Sequence, residues 1–358
     1  MSELKVIHLL GRLYPSGMER MLASAAQDFV EQGIRSIVIG QGEGHPFRDD
    51  LANAGYDVRV VPSLRTLAGC FALSRIVSAE RPDVVHIHTE SAFLPAVLSS
   101  YLSARTRVVR TVHSVFRPHG KAAFSRRVQA MLADRFVAQF VAPSPDVAKN
   151  ELNWNRKLQV VYNWVSSDYI AAKRHSGSNA SPLHAVLVGN CASVKNHEFA
   201  LKHLMANGYV VSHHGNEAHA TALEREMLES LASQGRLRYR GSEPPLQSLK
   251  NGGVFVLPSL HEGMSVALAE AIALGTPCLV ADSIGLSWAK GIQGVEHISL
   301  LEEDAWSSAL RETGYLPVAG GSAPPDLSPR RGAEEYAELY RTVANHIRSG
   351  RGAIGRQV

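Results

Sequence analysis

Val254-Phe255-Val256-Leu257-Pro258-Ser259-Leu260-His261-Glu262-Gly263-Met264-Ser265-Val266-Ala267-Leu268-Ala269-Glu270-Ala271-Ile272-Ala273-Leu274-Gly275-Thr276-Pro277 is the stretch on which the fold turns. Its first four residues are continuously apolar, as in a strand buried on both faces of a parallel sheet. From Ser265 to Ala273 the residues favour a helix. Leu274-Gly275-Thr276-Pro277 stops it, with glycine past the last turn and proline beyond. Glu262 therefore falls in a strand-to-helix loop, and Glu270, eight positions on, falls inside the helix that the loop begins. The amides of Gly263, Met264, Ser265 and Val266 point back at whatever Glu262 touches, and a helix start of this kind attracts phosphate. Two carboxylates flanking it can accept from hydroxyls, which suits a ribose and a hexose on either side of a diphosphate. Two glutamates at this spacing alone describe a solvated helix face equally well. The surrounding Pro-Ser-x-x-Glu-Gly and Glu-Ala-x-x-x-Gly-x-Pro set this pair apart.

Outward from this stretch, short apolar runs alternate with amphipathic ones along the whole chain. The pattern predicts strands at 4–10, 35–40, 57–61, 83–88, 107–112, 139–142 and 158–161, with helices at 18–32, 66–79, 92–102, 121–136 and 144–152. Polar residues 171–182 read as a linker or loop. A second series predicts strands near 184–189, 208–212, 236–239, 253–257 and 278–281, with helices at 196–206, 219–233 and 265–274. Residues 320–331, rich in Gly, Pro and Ser, interrupt it before a last helix at about 333–348, and the tail from Gly350 is expected to be disordered. Alternation of this kind gives an α/β fold of two doubly wound, Rossmann-like domains, 1–168 and 169–332, each a parallel sheet covered on both faces. Two such sheets facing across a cleft would gather their strand-end loops into one site, because open α/β sheets bind ligands at the carboxyl ends of their strands.

A chain of 358 residues accommodates two domains of ordinary size, and 45% apolar with 20% charged residues fits a globular protein. Cys70, Cys191 and Cys278 are scattered and odd in number, which argues against a disulfide framework and for a reducing compartment. The first strand begins without a charged leader and apolar core, and no run reaches the ~18 apolar residues of a membrane span. A cytoplasmic protein is expected. Residues 1–170 carry 20 Lys+Arg against 15 Asp+Glu, leaving 17 against 18 for the rest. No acidic residue interrupts Arg105, Arg107, Arg110, Arg117, Lys121, Arg126 and Arg127. A field of this sign favours an anionic partner, such as a lipid headgroup at the inner face of a membrane or a phosphorylated acceptor. Aromatic residues do not interleave with these charges, so nucleic acid is not expected.

The quoted segment resembles the Glu-x7-Glu motif of the family-four retaining glycosyltransferases, which have the two-domain GT-B fold. Other stretches are similar to that family in the same order. Ser16-Gly17-Met18-Glu19-Arg20 resembles the glycine loop that opens the first helix, with Ser16 in place of one glycine of the usual pair. Arg81-Pro82-Asp83-Val84-Val85-His86-Ile87-His88 resembles the fourth strand, and Arg110-Thr111-Val112-His113 the next strand with its terminal histidine. Val161-Tyr162-Asn163-Trp164-Val165 resembles the crossing between domains. Leu187-Val188-Gly189-Asn190 with Lys195-Asn196 resembles the first strand and loop of the second domain. The resemblance implies a hexosyl transfer with retention from a nucleoside-diphosphate sugar, UDP ahead of GDP, to a hydroxyl of a glycan, glycolipid or small molecule. It implies donor binding by the second domain, and a C-terminal helix, 333–348, returning to the acceptor-side first domain.

Residue by residue, the resemblance assigns Lys195 to the β-phosphate, Glu262 to the donor-sugar hydroxyls, Glu270 to the ribose and His113 to a place beside the donor sugar. Gly17, Gly189, Gly263, Met264, Ser265 and Val266 line the donor, and the Gly241–Pro245 loop is expected to contact the base. Glu19 is matched as well, although a carboxylate at a helix start explains it without a ligand. Asn190, matched as a donor-binding residue too, departs from the pattern, since many relatives carry arginine there; asparagine can still donate a hydrogen bond but contributes no charge. His86-x-His88 and the group His213, His214 and His219 invite a metal, but no Asp-x-Asp accompanies them to hold a divalent ion against a diphosphate. No metal and no cofactor is expected. An epimerase of the same fold, or a non-catalytic nucleotide-sugar-binding subunit, is the alternative. A dinucleotide-binding dehydrogenase is disfavoured because no Gly-x-Gly-x-x-Gly follows the first strand.

Overall fold

The computed structural model describes residues 3–104, 106–115, 120–154, 156, 158–173, 181–312 and 321–352. The chain divides into two compact units, Met1–Trp164 with Ser328–Val358, and Val165–Leu327. Each is a doubly wound α/β domain, as the alternating pattern requires.

The first unit runs β1 (Leu4–Leu9), α1 (Gly17–Ser24), α2 (Ala26–Glu31), β2 (Ile34–Gln41), α3 (Arg48–Asn53), β3 (Asp57–Val61), α4 (Leu67–Glu80), β4 (Val84–Ile87), α5 (Phe93–Ala104), β5 (Arg107–Thr111), α6 (Gly120–Ala133), β6 (Val137–Ala142), α7 (Pro145–Glu151) and β7 (Leu158–Val160). The strands form one sheet in the order β3-β2-β1-β4-β5-β6-β7, every neighbouring pair parallel. The helix expected over 18–32 is two helices joined at Ala25, whose backbone leaves the helical region at φ −104°, ψ 7°.

The second unit runs α8 (Ser167–Ala171), β8 (Ser181–Val188), α9 (His197–Ala206), β9 (Val210–His214), α10 (Ala222–Ser233), β10 (Leu237–Gly241), α11 (Leu246–Asn251), β11 (Gly252–Leu257), α12 (Val266–Leu274), β12 (Cys278–Ala281), β13 (Val295–Ile298) and α13 (Glu303–Glu312). Its parallel sheet is ordered β10-β9-β8-β11-β12-β13. The strand order therefore reverses between β1 and β4 in one unit and between β8 and β11 in the other. At such a point the two loops that follow the strands diverge and leave a crevice. β13, Val-Glu-His-Ile, escapes sequence reading because an edge strand of four residues with two polar positions carries no periodicity.

The chain then returns through α14 (Pro329–Gly352), which packs on the first unit with Ala333, Tyr336, Ala337, Leu339, Tyr340 and Val343 buried. The returning helix is as the family resemblance implied. It starts four residues before the predicted position and is extended by the i,i+4 pairs Arg330–Glu334 and Arg331–Glu335. Gly332 is needed for space, since a Cβ there would stand 2.1 Å from Cε3 of the buried Trp164. The Trp164 Nε1–H donates to the Met21 carbonyl at 2.7 Å. Buried hydroxyls fix the helix to the sheet: Tyr340 Oη lies 2.6 Å from His86 Nδ1, and Tyr336 Oη 3.0 Å from Thr111 Oγ1. The tail expected to be disordered lies outside the described residues from 353 on, as does part of the 171–182 linker. No helix among the described residues is long and apolar enough to cross a membrane.

Candidate active site

In the second unit the loops after β8 and β11, neighbours at the strand-order reversal, bring Lys195 to Glu262. The Lys195 ammonium donates to Glu262 Oε1 at 2.7 Å, and the Ser259 hydroxyl donates to the same oxygen at 2.7 Å. Both side chains of the ion pair keep some solvent contact, 22% for Lys195 and 13% for Glu262, so a ligand can reach them. The two loops are locked together. Leu260 N–H donates to the Val194 carbonyl at 2.8 Å, and the Asn196 carboxamide reaches the Pro258 carbonyl at 3.3 Å. Asn196 adopts the left-handed conformation, φ 54°, which asparagine tolerates better than most residues and which turns the chain from Lys195 into α9.

Gly189 follows β8 directly with the Lys195 chain lying over it, and a Cβ at Gly189 would stand 3.1 Å from Lys195 Cε. Beyond Glu262 the backbone is backed by Gly285, where a Cβ would meet the Glu262 carbonyl oxygen at 2.0 Å. Gly263 and Met264 are buried in the turn, and Ser265 caps α12 by accepting the Leu268 amide at 3.3 Å. Val266 is the first helical residue, so its amide lacks an intrahelical acceptor. Glu270, one turn further along, is 8% exposed. Asn190 uses its side chain structurally. Its Oδ1 accepts the Asn216 amide at 2.8 Å, while the Cys191 amide donates to the Asn216 carbonyl at 2.9 Å, and this ties the β8 loop to the loop after β9.

The Gly241–Pro245 loop is held by side chains that sequence reading had not connected to it. His214 stacks on Tyr239 with centroids 4.1 Å apart, its Nδ1 lies 2.8 Å from the Glu243 carbonyl and its Nε2 2.8 Å from Ser248 Oγ. The Tyr239 hydroxyl accepts the Glu243 amide at 2.9 Å.

In the first unit, His113 follows β5 and ends a row of histidines that spans three adjacent strands. His8 Nδ1 lies 3.2 Å from His88 Nε2, and His88 Nδ1 lies 3.1 Å from His113 Nε2. His8 Nε2 is buried without a partner among the described residues. With the proton of His8 on Nδ1 only a lone pair would be orphaned, and with it on Nε2 an N–H would be. In the first case the row would donate outward, from His8 to His88 to His113, and would leave an Nδ1–H on His113 as donor. Burial holds the row neutral. It lowers His8 to about 3, His86 and His88 well below the usual histidine range, and, with help from the Arg110 charge, His113 to about 4.

Gly17 is the exposed first residue of α1, whose cap Ser16 donates its hydroxyl to Glu19. Glu19 is buried, and burial raises its carboxyl above the ordinary range. The basic interval is partly spent on the fold. Arg110, 4% exposed, pairs with Glu90 at 2.5 Å and covers the Phe93 ring, and Arg126 pairs with Glu151 at 2.7 Å. Arg105 and Arg117 lie outside the described residues, while Arg127 is exposed.

Two family descriptions divide the chain between them: Glycosyltransferase Family 4 matches residues 15–169 and Glycosyl transferases group 1 matches residues 183–312. A protein of Bacillus subtilis (strain 168), EpsF, whose name gives it as a glycosyltransferase, is 30% identical over 344 residues, 86% of this chain and 87% of its own length. The chain belongs to the family-four glycosyltransferases. The Escherichia coli enzyme named UDP-Gal:alpha-D-GlcNAc-diphosphoundecaprenol alpha-1,3-galactosyltransferase is 23% identical over 79% of this chain and 81% of its own. The fold is that of HepE from Anabaena, solved with UDP and glucose, at a TM-score of 0.71 and 17% identity over 98% of this chain and all of that one. The fold is thus GT-B, two Rossmann-like domains, as expected from the sequence.

Proposed function

We propose that this glycosyltransferase moves a hexosyl group from UDP to an acceptor hydroxyl with retention of configuration and without a metal ion at the diphosphate. The observation that carries this reading is the Lys195–Glu262 contact of 2.7 Å at the β8–β11 reversal, beside the first turn of α12. Breaking a glycosyl–phosphate bond places negative charge on the departing phosphate and positive character on the sugar carbon. A cation fixed beside a helix start meets the first need at the position where a metal would otherwise stand. Glu262 then turns to the sugar hydroxyls and Glu270 to the ribose, and the family resemblance gives the neutral His113 its role toward the donor sugar. HepE, solved with UDP and glucose, and the Escherichia coli enzyme named for UDP-Gal support UDP as the carrier. That enzyme's diphosphoundecaprenol acceptor supports a lipid-linked glycan among the acceptor classes. Asn190, tied to Asn216, adds no charge, so Lys195 and the helix start stabilise the leaving group together.

Free UDP should raise the melting temperature with no metal added. At about 100 times its Kd it stabilises by about 2.7 kcal/mol, a shift of roughly 5–10 °C for a domain of this size. No shift with any nucleoside diphosphate at millimolar concentration would overturn the donor assignment. With a competent acceptor, the product anomer read by NMR should match the donor's. Turnover should not depend on Mg²⁺ or Mn²⁺, and an absolute need for either would contradict the reading.

The ion pair sharpens what replacing each glutamate does. Glu270→Ala, checked first for folding because the residue is buried on α12, should weaken free UDP and UDP-sugar alike. Glu262→Ala should weaken only the UDP-sugar. Free UDP should bind as well as before or tighter, since the Lys195 ammonium loses the carboxylate that competes with phosphate for it. Calorimetry with both ligands decides, and equal loss of UDP affinity in the two variants would refute this division of roles.

A further inference from the structure

We propose that Cys191, His197 and His213 form a binding site for a zinc-class transition-metal ion, apart from the proposed sugar-transfer chemistry. The sequence shows no such site, because the histidine paired with His213 by spacing, His219, is exposed, and the true neighbours are 22 and 16 positions away. The sheet brings them together. Cys191 follows β8, His213 lies on the adjacent β9, and His197 is the first residue of α9. All three are buried, at 1%, 1% and 0% exposure, and their ligand atoms lie within 4.8 Å of one another.

The spacing is that of a shared ion. Cys191 Sγ lies 3.6 Å from His213 Nε2 and 3.8 Å from His197 Nδ1. Sulfur at about 2.3 Å and nitrogen at about 2.0–2.1 Å from one tetrahedral centre stand roughly 3.5 Å apart. Without an ion the same three groups can hydrogen-bond, one ring N–H donating to the sulfur while the S–H donates to the other ring. An ion accepts all three lone pairs at once, and the thiol loses its proton on binding.

The surroundings agree. With Nε2 of His213 on the ion, its proton sits on Nδ1, which has no hydrogen-bond partner among the described residues and stands 3.8 Å from Glu217 Oε1. Glu217 is itself held by Arg240 at 2.7 and 2.8 Å. At 3.8 Å Glu217 faces the ring without a hydrogen bond, and closing that gap would give the carboxylate-behind-histidine arrangement usual at metal sites. One thiolate and two imidazoles select zinc-class ions over Mg²⁺, and three protein ligands leave a fourth position. An ion here would clamp the loop that carries Lys195 to β9, because His197 follows Lys195 by two residues.

The test uses the full chain, stripped with chelator and titrated with Zn²⁺ by calorimetry and with Co²⁺ by absorption. One ion should bind per chain, and cobalt should show a thiolate charge-transfer band. The Cys70→Ser/Cys278→Ser double variant, in which Cys191 is the last thiol, should keep that band. Cys191→Ser should lose it and bind zinc on the order of 100-fold more weakly, at or beyond the range seen for outer-shell partners. If Cys191→Ser fails to fold, the double variant decides alone. No charge-transfer band in the double variant, or binding without thiolate at the histidines of the first unit only, overturns the site.

Discussion

Lys195→Ala is expected to lower turnover by on the order of 10²-fold or more, equivalent to about 2.7 kcal/mol of transition-state stabilisation. The ammonium matters most as the phosphate departs, so kcat should fall more than the affinity for the sugar portion. The structure adds a second route to damage, because Lys195 also holds Glu262 at 2.7 Å. A double-mutant cycle separates the two. If Lys195 serves only to place Glu262, the Lys195→Ala/Glu262→Ala pair should be no slower than Glu262→Ala alone. If Lys195 acts on the phosphate, the pair should be slower by most of the single effect. Turnover unchanged in Lys195→Ala would assign the phosphate to another residue.

Acid is expected to destabilise the first unit steeply, beginning near neutrality. Burial lowers His8 to about 3 and His113 to about 4 and holds His86 and His88 well below the usual range too, against about 6.5 for histidine in an unfolded chain. With the folded values below the unfolded one, the unfolded chain binds more protons in the interval. The stabilisation is therefore complete above about pH 6.5 and is lost as pH falls through the window toward the folded values. Each such group removes up to about 1.4 kcal/mol per pH unit in that window. Several together are large against a total of about 5–15 kcal/mol. The groups facing His8 are Phe29, Tyr56, His86, His88 and Tyr340, none of which supplies a compensating negative charge. Melting temperatures from pH 8 to pH 5 check this, with His8→Gln expected to flatten the slope. A melting temperature flat across that range would mean that the folded protein accepts protons on this row.

Much of this protein is legible without coordinates, and the legible parts share a cause. Buried parallel strands such as Val254–Leu257 are apolar on both faces, and helix stops such as Leu274-Gly275-Thr276-Pro277 carry local chemistry, so the α/β alternation, both sheets and the Glu262–Glu270 loop-and-helix stand in the residues themselves. Short elements with mixed faces, α3, α11 and β13, are absent from that reading because tertiary pairing rather than local preference makes them. Partnership is the other limit. Sequence presented Lys195 and Glu262 as separate tools for phosphate and sugar, 67 positions apart. Only the adjacency of β8 and β11 makes them an ion pair. Asn190 looked like a weakened charge and is a loop tie to Asn216, while His86, spaced as if for a metal, is bound by Tyr340 and Thr111. Sequence determines what each side chain can do and which strand or helix carries it. The order of strands in the sheet decides which of those side chains meet, because hydrogen-bonded neighbours in the sheet are far apart along the chain.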